Sequence, residues 1–279
     1  LHEFKKMNVL ITGSNGYIGK SILNSKIANV VFFHGNRQTI NLLDKECIKT
    51  FVKENKIDIV IHCAIEGGNR LKIDDANNFF NNILIFENLY YCKNLLHKVI
   101  NLASGAEFDR QTDINLADEE ILFNRIPKDY YGLSKNIIAK KALTANNFFN
   151  LRLFGCFDEN ELDSRFIKTC FLKSKNNETI TIHEDKTMDF FYVQDLISVV
   201  KYFLLVNSIH QDINLSYKNK YKLSQIAKKI TNKTNSKSDI IIQKEHGLNY
   251  NGNFNKLFSL PIKLIGLENG IDKTIIHNI

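Results

Sequence analysis

Proline occurs only at Pro127 and Pro261, so neither interrupts a segment read as a sheet strand. Cysteine is sparse and odd in number: Cys47, Cys63, Cys92, Cys156 and Cys170 show no CxxC or other ligand spacing. That argues against a disulfide scaffold and against a zinc site, fits a reduced cytoplasm, and leaves no metal to expect. No run of about 18 apolar residues suggests a membrane span, and the apolar segment Val9–Thr12 is too short for a signal peptide. Leu1-His2-Glu3-Phe4 lacks an initiating Met and reads as added or processed sequence, with Met7 as the native start. Internal repeats and long disordered linkers are missing, and so is the basic stripe with interleaved aromatics that nucleic acid requires.

What is there fits one large α/β domain, or one domain with a smaller appendage. The apolar share of 44% is ordinary for a globular protein, and the net charge of +7 is spread over scattered lysines. Scattering points to biased composition; attraction of an anionic small molecule is the functional alternative. Strands are expected at Asn8–Thr12, Val30–Phe33, Ile57–His62, Lys98–Ala103 and Asn150–Phe154, with helices at Tyr17–Ser25, Asp44–Asn55, Ala76–Leu96 and Tyr130–Asn146. Nearly continuous apolar strands alternating with helices imply a Rossmann-type, doubly wound parallel sheet covered on both faces. After Phe157 the rhythm loosens into helices at Glu161–Lys173, Val193–Val206 and Ser224–Thr231 and strands at Thr179–His183, Ile213–Ser216 and Ile240–Gln243. The expected division is a dinucleotide-binding domain over 7–157 and a smaller α+β substrate lobe over 158–279, with some chain exchange between them.

Gly13-Ser14-Asn15-Gly16-Tyr17-Ile18-Gly19 follows the first strand directly and opens a helix. The glycines suit a tight turn, close approach of the backbone to a pyrophosphate, and close packing of helix on strand. The helix start then presents N–H groups to the phosphates. An acidic residue about 20 positions on would bind a ribose 2′-hydroxyl and favour NAD. The sequence there is His34-Gly35-Asn36-Arg37, without a carboxylate. Arg37 suits a 2′-phosphate and favours NADPH.

Tyr131-Gly-Leu-Ser-Lys135 begins a helix, and its i, i+4 ends share one face. A neighbouring ammonium favours the phenolate and makes Tyr131 a usable proton donor or acceptor. Tyr130 is passed over because its i+4 partner is Ser134. Ser104, in Asn101-Leu-Ala103-Ser104-Gly105, ends a strand, where a hydroxyl meets an oxygen whose charge changes during hydride transfer. A turn-capping serine is the structural alternative.

In this order and spacing the glycine cradle, the strand-end serine and the YxxxK pair resemble an extended short-chain dehydrogenase/reductase of the NAD-dependent epimerase/dehydratase family. Its usual substrates are nucleotide sugars. Further stretches carry the resemblance over most of the chain. Asn41-Leu42 resembles the adenine-contacting segment, Cys63-Ala64-Ile65 the strand end lying along the cofactor, and Asn82 a cofactor-contacting asparagine. Leu151-Arg-Leu-Phe154-Gly155 matches the strand leading to the substrate lobe. Asp189-Phe-Phe-Tyr-Val-Gln-Asp195-Leu and Asn214-Leu-Ser match later family segments. The resemblance implies that Tyr131 exchanges a proton with the sugar oxygen, Ser104 polarises it, and Lys135 binds the nicotinamide ribose. It also places Ala103 and Phe154 beside the cofactor, and it implies a cytoplasmic homodimer acting on a nucleotide-diphosphate sugar, paired through the helices at 76–96 and 130–146.

Departures from the family narrow the reaction. Ser104-Gly105-Ala106 lacks the acidic pair of the 4,6-dehydratases, and Glu107 is one position late and expected to point away on an extended backbone. Arg37–Asp44 is similar to GDP-fucose synthases, but Ala106 stands where they place a cysteine, and no histidine lies between Leu153 and Ile182. Cys156 is expected to be a packed thiol rather than a substitute. The expectation is NADPH-dependent reduction of a 4-keto sugar, with a 4-epimerase holding NAD as the alternative and a non-catalytic dinucleotide-binding protein as the remaining class. Met188 replaces an arginine that binds the diphosphate in the family; Arg165, Lys168 and Lys186 are the candidate replacements, with Gly105, Ala106 and Gly155 near the sugar.

Overall fold

Phe148 and Phe149 show how the main sheet is covered. Neighbouring strand residues point to opposite faces. Phe148 meets the ring of Phe86 at 5.8 Å, while Phe149 meets Phe203 at 5.5 Å on the other side. The strands at 59–62 and 148–153 are buried along their whole length, as a sheet with helices on both faces requires.

The computed structural model describes residues 6–68 and 73–276, so the reading of Leu1–Phe4 lies outside the described residues. The elements run β1 (Met7–Thr12), α1 (Tyr17–Leu23), β2 (Val30–Gly35), α2 (Lys45–Glu54), β3 (Ile59–His62), α3 (Ala76–Tyr91) and β4 (Lys98–Ser104). A 3-10 turn (Gly105–Phe108) precedes β5 (Ile114–Ala117), α4 (Ile121–Asn124), α5 (Tyr130–Ala142), β6 (Phe148–Leu153) and β7 (Cys156–Phe157). Then come α6 (Phe166–Lys175), β8 (Ile180–Ile182), β9 (Phe191–Tyr192), α7 (Val193–Leu205) and β10 (Asp212–Leu215). The described chain closes with α8 (Leu223–Lys233), β11 (Ile240–Ile242), β12 (Tyr250–Gly252), α9 (Asn255–Phe258) and α10 (Leu267–Ile276).

The main sheet has the order β10-β6-β4-β3-β1-β2, with β1 parallel to β2 and β3, and β3 parallel to β4. The chain leaves β1 to one side for β2 and returns on the other for β3, which makes the end of β1 a topological switch point. The register sets Thr12 beside Gly35 and His62, and His62 beside Asn101. The loops after β1, β2, β3 and β4 therefore leave the sheet along one edge.

Two compact units result. One takes the chain up to Asp109 with Glu119–Arg152 and Val199–Ile213; the other takes Arg110–Asp118, Leu153–Ser198 and the chain from Asn214 onward. The chain thus passes from one unit to the other several times. In the second unit three short parallel ladders pair β11 with β8, β12 with β5, and β7 with β9.

Other differences from expectation have local causes. Ile213–Ser216, read as a lobe strand, corresponds to β10 at the edge of the main sheet, where Asn150 donates to the Gln211 carbonyl at 2.6 Å. Helix α5 stops at Ala142 because the Thr144 hydroxyl takes the Lys141 carbonyl at 2.7 Å. Helix α6 starts at Phe166, not Glu161: Arg165 is extended, and the Glu161 carboxylate reaches in to accept the Lys168 N–H at 3.0 Å.

Candidate active site

The cradle is built from backbone. Gly13 has φ +67°, and a Cβ there would lie 2.8 Å from the main chain of Ala64 at the exit of β3. Any other residue at this turn is both strained and blocked. A Cβ at Gly19 would come within 2.4 Å of the Gly13 carbonyl, so helix and turn pack main chain to main chain. The first helical bond runs from the Lys20 N–H to the Gly16 carbonyl, which leaves the N–H groups of the helix's first turn outside the helical ladder. Ser14 is 1% exposed, and its hydroxyl meets no partner among the described residues. A cradle that excludes Cβ atoms and holds an orphaned buried hydroxyl fits a dinucleotide pyrophosphate.

The neighbouring loops close on this cradle. Gly13 donates to the Gly35 carbonyl at 2.7 Å, and Asn36 reaches the Asn15 side chain at 3.4 Å. Arg37 is exposed, and its Nη2 lies 2.9 Å from Glu66 Oε1. This carboxylate was missed because it arrives from β3, not from the end of β2. Asn41 is exposed and accepts the Leu43 N–H at 3.1 Å, and Leu42 packs against the core formed by α2, α3 and the sheet. Asn82 is buried; it accepts from the Glu66 N–H at 2.7 Å and donates to the Glu66 carbonyl at 2.9 Å. It thereby fastens the loop that follows Cys63, Ala64 and Ile65.

Beneath that loop His62 is buried, with Nδ1 2.8 Å from Thr12 Oγ1. Burial, with help from the Lys135 charge, lowers its pKa to about 3 and keeps the ring neutral. Burial pushes the Cys63 thiol up to about 12, so it stays protonated. All five cysteines are unpaired, and burial also raises Cys156.

Ser104 sits at the end of β4. Its hydroxyl accepts the Ala106 N–H at 3.2 Å, leaving its own proton to donate. Its backbone N–H donates to Glu107 Oε1 at 2.8 Å. Glu107 does not lie on an extended backbone, as the sequence reading assumed; it ends inside the 3-10 turn, fully buried. Its other oxygen takes Arg152 Nε at 2.7 Å, and Arg152 Nη2 donates to Asp212 Oδ2 at 3.0 Å. Burial opposes the charge on Arg152, but Asp212 and Glu107 outweigh it and hold the guanidinium protonated. Ser104 therefore stands on a buried ionic brace whose second member, Arg152, went unremarked in the sequence.

Helix α5 is capped by Asp129, which accepts the Gly132 N–H at 2.8 Å. Tyr131 and Lys135 follow on one face, as their spacing requires. Lys135 is 4% exposed and donates to the Leu102 carbonyl of β4 at 2.7 Å, two residues before Ser104. The Tyr131 ring lies against Gly68, where a Cβ would approach its Cε2 to 2.6 Å. Two further residues lock α5 to the serine turn. A Cβ on Gly132 would lie 2.8 Å from the Ala106 carbonyl, and Asn136 donates to the Glu107 carbonyl at 2.8 Å. Ser104, Gly105 and Ala106 are thus brought against the helix that carries Tyr131 and Lys135, with Ala103 buried behind them.

The remaining candidates belong to the second unit. Phe154 packs edge-on against Tyr250, and a Cβ on Gly155 would lie 2.8 Å from the Asp189 carbonyl. Arg165 is exposed at the start of α6, whereas Lys168 is buried and donates to the Glu159 carbonyl at 2.8 Å. Lys168 thus serves a backbone contact and is not a surface cation. Asp189 takes Lys220 at 2.7 Å and the Gly252 N–H at 3.1 Å, and Asp195 takes the Tyr217 hydroxyl and the Gly266 N–H at 2.9 Å. The acidic ends of the Asp189–Leu196 segment are therefore structural anchors.

The profile of the NAD dependent epimerase/dehydratase family matches residues 9–216. The chain belongs to that family. As a member it is an NAD(P)-dependent enzyme of the oxidoreductase type, and both glycine cradle and YxxxK helix lie inside the matched span. Among curated relatives, the GDP-L-colitose synthase of Yersinia pseudotuberculosis is 25% identical over 96% of each chain. The dTDP-4-dehydro-6-deoxyglucose reductase of Escherichia coli is 25% identical over 98% of each chain. Among solved structures, a GDP-mannoheptose C4 reductase from Campylobacter jejuni with NADP bound is similar, with a TM-score of 0.81, 19% identity and 98% of each chain covered. At that identity the likeness speaks to the fold. No helix among the described residues is long and apolar enough to cross a membrane.

Proposed function

We propose that this family member reduces a nucleotide-linked 4-keto-6-deoxy sugar with NADPH. The observation that carries the reading is the fate of Glu107. It is the only carboxylate in the Ser104–Phe108 stretch, and it is withdrawn into the brace with Arg152. Ser104 is then followed by a glycine and an alanine, so among the described residues this turn offers no free carboxylate or thiol of the kind used for elimination or for epimerisation beside the ketone. The names of the curated relatives, a colitose synthase and a 4-dehydro-6-deoxyglucose reductase, support the same reading.

Gly13–Gly19 would hold the pyrophosphate and Arg37 the 2′-phosphate, and the bound NADPH supplies the hydride. Tyr131 gives the proton to the ketone oxygen, and Ser104 donates a hydrogen bond to that oxygen. Lys135, fixed on the Leu102 carbonyl, provides a positive charge one helical turn from Tyr131 and binds the nicotinamide ribose. Arg165 is the exposed cation offered to the diphosphate. The reaction belongs in the cytoplasm, in the supply of activated sugars for polysaccharides. Exposed Phe80, Leu84 and Tyr91 on α3 with Tyr130 and Ile137 on α5 support a homodimer through these helices.

The test is loss of NADPH absorbance with a panel of 4-keto nucleotide sugars. Oxidation with at least one of them is expected, and no oxidation with any overturns the reading.

A further inference from the structure

Arg37 is not reserved for a phosphate. It is 90% exposed, and its partner Glu66 is 23% exposed. A surface pair of this kind is usually incidental. What distinguishes this one is how firmly Glu66 is held. Asn81 donates to its Oε2 at 2.8 Å, while the next residue, Asn82, holds both its N–H and its carbonyl. Two successive α3 side chains thus fix the backbone and one carboxylate oxygen, and the other oxygen is directed at Arg37. The pair stands beside the cradle, since the β2 exit touches it through Asn36 and Asn15 and the β3 exit through Ala64 and Gly13.

We propose that Glu66 is a specificity-determining residue for the dinucleotide, a carboxylate that contests Arg37 with the adenosine 2′-phosphate and so lowers the preference for NADP over NAD. The inference rests on the reading of Arg37 as the 2′-phosphate partner. A 2′-phosphate brings about two negative charges. The guanidinium fork has donors enough for two anions, but two anions on one fork repel each other. Asn81 keeps the carboxylate from swinging aside. An unphosphorylated ribose brings no charge, and its hydroxyl can donate to the same carboxylate.

Calorimetric titration of the whole chain with NADP+ and with NAD+ tests this without turnover. Glu66→Gln, which keeps the shape and the Asn81 contact, is expected to tighten NADP+ about fivefold and leave NAD+ within about twofold. Asn81→Leu, which frees the carboxylate, is expected to shift the ratio the same way by a smaller factor. Arg37→Met is expected to bring NADP+ down to the affinity of NAD+. An unchanged NADP+ to NAD+ ratio in Glu66→Gln overturns the proposal while leaving the reading of Arg37 intact. If Arg37→Met leaves NADP+ binding unchanged, or if the wild type binds neither dinucleotide, the reading of Arg37 falls and the proposal falls with it.

Discussion

The two ends of the sheet edge are built from opposite materials. At the β4–α5 end, Ser104 rests on Glu107, Arg152 and Asp212, which are buried and mutually paired, and on main-chain contacts with α5. At the β2–β3 end, Arg37 and Glu66 meet in an exposed pair at the rim of the glycine cradle. The first arrangement holds reacting groups at fixed separation, at the risk of large losses if one member is removed. The second can be altered with little effect on folding, which suits a choice between closely related cofactors. On the proposed reading, chemistry is placed where the protein is stiff, and selection where it is adjustable.

The comparison yields predictions that descend in size. Tyr131→Phe removes the proposed proton donor and is expected to lower kcat about 10²- to 10⁴-fold while NADP+ affinity is retained; near-normal turnover would remove Tyr131 from the mechanism. Arg152→Met strands two buried carboxylates and is expected to cost about 3–5 kcal/mol in denaturant unfolding. Gly132→Ala forces a Cβ against the Ala106 carbonyl, costing about 1–3 kcal/mol and depressing kcat more than KM. If it acts on stability alone, the proposed spacing between the serine turn and α5 is not what sets the rate.

The next prediction concerns pH. The pKa of His62 is lowered in the fold to about 3 from an ordinary 6.5. Its contribution is therefore complete above about 6.5 and is lost as the pH falls toward 3. His62→Gln is expected to flatten that acid limb by at least about 1.4 kcal/mol, the worth of one pKa unit; identical limbs in the two proteins would count against it. Smallest is Arg37→Met, expected to change unfolding stability by less than about 1 kcal/mol. A cost near that of Arg152→Met would erase the contrast between the two ends.

What the sequence made legible was local. The glycine turn needs only successive residues, and Tyr131 with Lys135 needs only helical spacing. The sheet strands followed from unbroken apolar runs. The brace was hidden because Glu107 and Arg152 are 45 positions apart and meet only after a 3-10 turn replaces the assumed extended chain. Glu66 was hidden because the search for a carboxylate stopped at β2, while the fold brings one from β3. The paired short strands β5 and β12 escaped because three or four residues carry too little alternation to be read.

Gly132 bears on how such an enzyme changes over time. At this point the serine turn and the tyrosine helix meet through a carbonyl and a bare Cα. The closest approach at this contact is consequently set by main chain and not by side-chain size. Lineages and engineers alike can then vary side chains elsewhere in the chain while this main-chain contact keeps its spacing.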